Sequence, residues 1–183
     1  MKTSQIIRRW RNAVLLSIFS FFSVMQGQSQ NLPQFRSLQL SYGLTGFPGE
    51  IVRGSHERYL TDKINIVFAA SYEQGSKSGL RFSSIGMEVL TRYYSDLGLM
   101  TNHRFQFHIA AGPVLELNQE RSIYKGMSIG ERINYGIAGQ WGAEWSATQD
   151  ISLILNLCQK VFLVKKLGRD SFDVSAGIKL KFF

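Results

Sequence analysis

The chain has 183 residues, a formal net charge of +8 at pH 7, 44% hydrophobic residues and one cysteine. A lone cysteine, Cys158, excludes an intramolecular disulfide. The positive charge is no argument for a nucleic-acid partner. Lys2, Arg8, Arg9 and Arg11 lie in an N-terminal leader, which leaves about +4 without them, and the other basic residues are scattered.

The leader reads as a signal peptide. Its basic start holds no acid, Ala13 to Met25 is an apolar run, and the small residues Gly27 and Ser29 suit a signal peptidase. The run is shorter than the roughly 20 apolar residues of a spanning helix. Residues 1–29 are expected to be the signal peptide and residues 30–183 one exported domain.

From residue 36 onward apolar and polar residues alternate with a period of two, the mark of half-buried strands. Leu38 to Leu44 form the first segment. Glu50 to Leu60 is weak, with only Ile51, Val52, Tyr59 and Leu60 strongly apolar. Ile64 to Tyr72, Ile85 to Tyr93 and Phe105 to Ala111 follow, then Ile133 to Trp145, Ile151 to Leu157 and Phe172 to Phe182. Pro113 predicts a bulge, or the strand leaving the membrane.

Counting the weak segment gives an even number, about eight strands. Thr61-Asp62-Lys63 and Thr148-Gln149-Asp150 predict tight turns, with a looser one at Ser95 to Asn102. Longer connections are expected at Gly46 to Gly49, Gln74 to Gly79, Asn118 to Gly130 and Leu163 to Asp170. Short turns on one side and mostly longer loops on the other predict a small antiparallel transmembrane β-barrel in the cell outer membrane. Tyr59, Tyr93, Trp141, Trp145, Phe172 and Phe182 are candidates for its aromatic girdles. A soluble lipocalin-like barrel would place the apolar face inward and a richer set of Lys and Glu outside.

A barrel of this size is filled by side chains and is no conduit. Its inward charges need partners. Arg104 with Glu144, and Lys160 with Asp173, are expected as cross-strand ion pairs, with Glu88 and Arg92 joining through neighbours. His56, His103 and His108 form no catalytic constellation with Ser or Asp, and no metal spacing or cofactor fingerprint is present, so neither enzyme activity nor a cofactor is expected. Gly136, Gly139 and Gly142 read as close packing, and Cys158 as a small interior residue. The loop from Gln119 to Gly130, with Arg121, Tyr124 and Lys125, is the candidate recognition surface.

The succession of segments resembles the conjugative-transposon TraO family of Bacteroidetes. The likeness runs from R-S-L-Q-L-S-Y-G-L-T-G-F at Arg36 through G-M-E-V-L-T-R-Y-Y-S-D at Gly86 and the strand at Phe105 to Ala111. It continues in Y-G-I-A-G-Q-W-G-A-E-W at Tyr135, I-S-L-I-L-N-L at Ile151 and A-G-I-K-L-K-F-F at the end. The resemblance implies a structural or scaffolding outer-membrane component of a conjugation apparatus, with other transfer proteins and outer-membrane lipid as partners and no catalytic residue. The alternatives are a general surface barrel in adhesion, envelope stability or secretion, and a lipid-modifying enzyme of the outer membrane.

Overall fold

The computed structural model describes residues 36–183 except 47–48, 62, 78–79, 96–104, 123–127, 164–169 and 183, and the side chains of 77, 80, 120–122 and 128–131 are also outside the description. The expected signal peptide, residues 1–29, lies outside the described residues. Eight strands form a closed antiparallel barrel in simple chain order. They are β1 (Arg36–Thr45), β2 (Gly49–Tyr59), β3 (Ile64–Lys77), β4 (Leu80–Ser95), β5 (Phe105–Ser122), β6 (Ser128–Ser146), β7 (Ile151–Phe162) and β8 (Ser171–Phe182). The weak segment is a full strand paired along its length to β1 and β3.

Following cross-strand partners once round the wall leads from Arg36 through Arg58, Ile66, Thr91, Ala111, Gly139, Gln159 and Phe172 back to Gly46, a shear of ten residues. Such a stagger tilts the strands and leaves a bore that side chains can fill. The alternation is inside out relative to a soluble fold. Leu40, Tyr135, Ile137, Leu155 and Ile178 are exposed on the outside, while Arg53, Glu57, Arg92, Lys160, Asp173 and Lys179 are buried inside. An apolar outer belt round a closed ladder is the arrangement lipid demands, because no backbone group at a sheet edge meets hydrocarbon.

Two turns at the end that carries the termini share one design. The Thr61 hydroxyl accepts from the Ile64 N–H at 3.0 Å, and the Thr148 hydroxyl accepts from the Ile151 N–H at 3.0 Å. At that end Tyr93, Phe107, Trp145 and Phe182 face outward as an aromatic girdle, whereas Tyr59 turns into the lumen against Tyr94 and is no girdle residue.

At the opposite end two of the four expected longer connections are shorter than expected. Residues Gln74–Gly79 and Asn118–Gly130 are largely taken up by strand, so β4, β5 and β6 reach 16, 18 and 19 residues while β1, β2, β7 and β8 have 10 to 12. Only about 9–11 residues are needed to cross a membrane, so the long strands project well beyond it on one side of the barrel. Pro113 neither bulges nor ends β5: Glu88↔Val114 and Thr91↔Ala111 keep one register across it, and the bulge lies at Glu120/Arg121. A proline costs a rung because it lacks an N–H, but it sits on the outer face and the strand runs on.

Candidate functional site

The lumen holds two ionic groups, separated along the barrel axis by the alternation that supplies them. Toward the termini, Glu57 of β2, Arg92 and Tyr94 of β4, Glu144 of β6, and Lys179 and Lys181 of β8 converge. Lys179 Nζ lies 2.7 Å from Glu57 Oε2 and 2.8 Å from Glu144 Oε2, and donates to the Tyr94 hydroxyl at 2.7 Å. Arg92 pairs with Glu57 and donates to Gln140 Oε1 at 3.0 Å. Glu57 also accepts from Ser37 at 3.1 Å and Asn65 at 3.0 Å, and Lys181 reaches Glu144 at 2.7 Å. Lys179 is fully buried, with Nζ at the hydroxyl edge of Tyr94 and 5.4 Å from the Tyr59 ring centroid.

The second group lies deeper toward the projecting end. Arg53 grips Asp173 with both terminal nitrogens, at 3.1 and 2.9 Å, and lies 3.4 Å from Glu88 Oε1. Lys160 reaches the same Glu88 oxygen at 3.3 Å. The fork geometry makes Arg53–Asp173 the most directional contact in this group.

These partners correct the pairing of Lys160 with Asp173, bring Glu88 and Arg92 into the network through neighbours as expected, and leave the pairing of Arg104 with Glu144 untested. Glu144 is held by Lys179 and Lys181, and Arg104 lies outside the described residues. Lys160 and Asp173 take Glu88 and Arg53 instead of each other. Glu88 and Arg92, four residues apart on β4, fall in different groups. The physical reason is common to all of them. Each ion pair among the described residues skips at least one strand, because inward side chains in a narrow barrel meet across the bore rather than along the wall.

Arg53, Glu57 and Lys179, the pivots of the two groups, were missed as site residues. The signal was present in β2, where Arg53, Ser55 and Glu57 alternate strictly with Val52, Gly54 and His56. The inner face carries the pattern of this strand, and the outer face does not.

The lumen is not wholly polar. Val67, Leu90, Ala110, Val114, Ala138, Cys158 and Phe162 form an apolar cluster against one side of it. Cys158 is a packing residue there. His108 is buried, with Nε2 3.0 Å from Asn156 Oδ1, and lies over Gly142, where an added Cβ would come within 2.3 Å of that nitrogen. Of the candidate recognition residues, Arg121 lies on β5 at the bulge with its side chain outside the description, and Tyr124 and Lys125 lie outside the described residues.

The wall above these groups is uneven. β6 pairs with β7 only from Gly136 onward, and Leu163 donates to the Tyr135 carbonyl at 3.0 Å. Among the described residues, Ser128–Asn134 pair with β5 alone.

No family model matches the chain, and no curated protein matches it in sequence. Solved structures do match in fold. Neisserial surface protein A is 15% identical with a TM-score of 0.60 over 81% of this chain and 97% of its own. The N-terminal β-barrel domain of Pseudomonas aeruginosa OprF is 15% identical with a TM-score of 0.61 over 85% and 100%. Ail, the attachment invasion locus protein of Yersinia pestis, is 9% identical with a TM-score of 0.58 over 82% and 100%. The chain thus has the fold of an eight-stranded outer-membrane β-barrel, with its apolar belt turned to lipid.

Proposed function

We propose that this barrel is a non-enzymatic scaffold of the outer membrane that holds another protein of a conjugative DNA-transfer apparatus against its projecting wall. The observation that supports the docking role is the uneven wall, since β4, β5 and β6 run 16, 18 and 19 residues against the 10 to 12 of β1, β2, β7 and β8 and so present surface beyond the membrane belt. The packed, ion-paired lumen supports a scaffold over a pore. The process is assigned on the resemblance of Arg36–Phe47, Gly86–Asp96, Phe105–Ala111, Tyr135–Trp145, Ile151–Leu157 and Ala176–Phe183 to the TraO family.

A clean deletion tests the process: mating frequency should fall and return on complementation, and an unchanged frequency sinks the conjugative role. A photo-crosslinking residue in place of Ile133 should capture a transfer protein in mating cells. A second reading, attachment at the cell surface, draws on the fold it shares with the Yersinia attachment invasion locus protein. Unchanged transfer with altered cell binding would favour it. The lipid-modifying alternative predicts activity lost on alanine substitution of His56 or His108; against it, His108 is engaged by Asn156.

A further inference from the structure

The outer face of β2 breaks the belt. Its outward residues run Glu50, Val52, Gly54, His56 and Arg58, where every other strand presents mostly large apolar groups. Arg58 is the direct cross-strand partner of Arg36 on β1. Both guanidinium groups face outward, half-buried, level with the aromatic girdle of the terminal end, and both are within electrostatic reach of His56 one step further into the belt. Arg36 and His56 also have partners within the chain.

Like charges directly opposite on paired strands repel. Beside hydrocarbon that repulsion is poorly screened, and an ionisable residue in the membrane zone marks a functional site by default. A phosphate can meet both groups beside the partner Arg36 already has, since two planar forks can each present N–H donors to its oxygens. Deeper along the same strand the surface is hollow. A Cβ built on Gly54 would meet nothing within 4 Å, and the neighbouring outward residue of β3 is Ala70, while Leu40 of β1 rises beside them with 65% of its surface exposed.

We propose that Arg36, Arg58 and His56 form a headgroup site for an anionic phospholipid of the periplasmic leaflet, one acyl chain lying in the trough over Gly54 and Ala70. The leaflet follows from the end of the barrel, because chain termini and tight turns of such barrels face the periplasm. The order of parts matches a lipid: charge at the interface, then a bare strip running toward the midplane.

Native mass spectrometry of the purified barrel, loaded from an equimolar mixture of phosphatidylglycerol and phosphatidylcholine, tests the site. The wild-type chain should retain phosphatidylglycerol about ten-fold over phosphatidylcholine, given two arginines acting on one headgroup. Arg36→Gln with Arg58→Gln should bring the two lipids to parity, and Arg58→Lys should fall between. Gly54→Leu, which fills open space without touching the charges, should lower phosphatidylglycerol retention several-fold. Heat-dependent gel mobility confirms that each variant is folded. Parity in the wild type, a preference surviving in the double variant, or displacement of the lipid by millimolar inorganic phosphate would each overturn the proposal, the last by making it a free-anion site.

Discussion

The two ionic groups of the lumen use the same residue types and differ in how their charges are shared. Near the termini, each carboxylate has two cations: Glu57 has Arg92 and Lys179, and Glu144 has Lys179 and Lys181. Toward the projecting end, Asp173 is held by Arg53 through both oxygens, and Glu88 bridges Arg53 and Lys160 through one. One group is a mesh with Lys179 at its centre; the other is a chain whose strongest link is a fork. A buried charge is costly unless paired, so the damage from a deletion depends on what the deletion leaves behind.

The comparison is broken most severely at its centre. Lys179→Met should leave Glu57 and Glu144 facing each other in the bore and cost about 3–5 kcal/mol of unfolding free energy in urea titrations of the barrel in vesicles. Arg53→Met should cost about 3 kcal/mol, and adding Asp173→Asn should recover part of it, since both charges of the fork are then gone. A double variant that simply adds the two single losses would remove the fork from the account.

Smaller changes sharpen the contrast. Gly142→Ala drives a methyl group into His108 between the two groups and should cost about 1–3 kcal/mol, with the His108 ring resonances displaced. Glu144→Gln should cost least, about 1–2 kcal/mol, because Lys179 keeps Glu57 and the amide oxygen still accepts. If Glu144→Gln proves as damaging as Lys179→Met, the terminal group is not a shared mesh.

Much of the architecture was legible because lipid and bore impose opposite demands on successive residues. The run Ile151 to Leu157 states its faces unaided, and the Thr61 and Thr148 turns announce themselves. β2 was hard to read for a physical reason: its outer face holds Gly54, His56 and Arg58, so a search for apolar alternation finds little. The inward position of Glu144, Lys160 and Asp173 followed from phase alone. Their partners did not, because pairing across the bore depends on the shear, which is a property of the closed ring and of no single hairpin. The apolar lumen cluster escaped for a related reason. Val67, Leu90 and Ala138 sit on inward faces that also carry Asn65, Arg92 and Gln140, and only closure gathers them.

The seam between β1 and β8 joins the two ends of the domain, and both ionic groups bridge it. Arg53 reaches Asp173 across β1, 120 residues apart in the chain, and Lys179 reaches Glu57 over the same strand. Before the ring closes, Arg53 lacks Asp173 and Lys179 lacks Glu57, and these charges have only the partners on their own side of the seam, Glu88 for Arg53, Arg92 for Glu57 and Glu144 for Lys179. They act as a latch. The contacts Arg53–Asp173 and Lys179–Glu57 form only at closure, so they should appear in the lifetime of the finished barrel more than in the speed of its assembly. A chain built this way tolerates slow insertion and, once shut, reopens rarely.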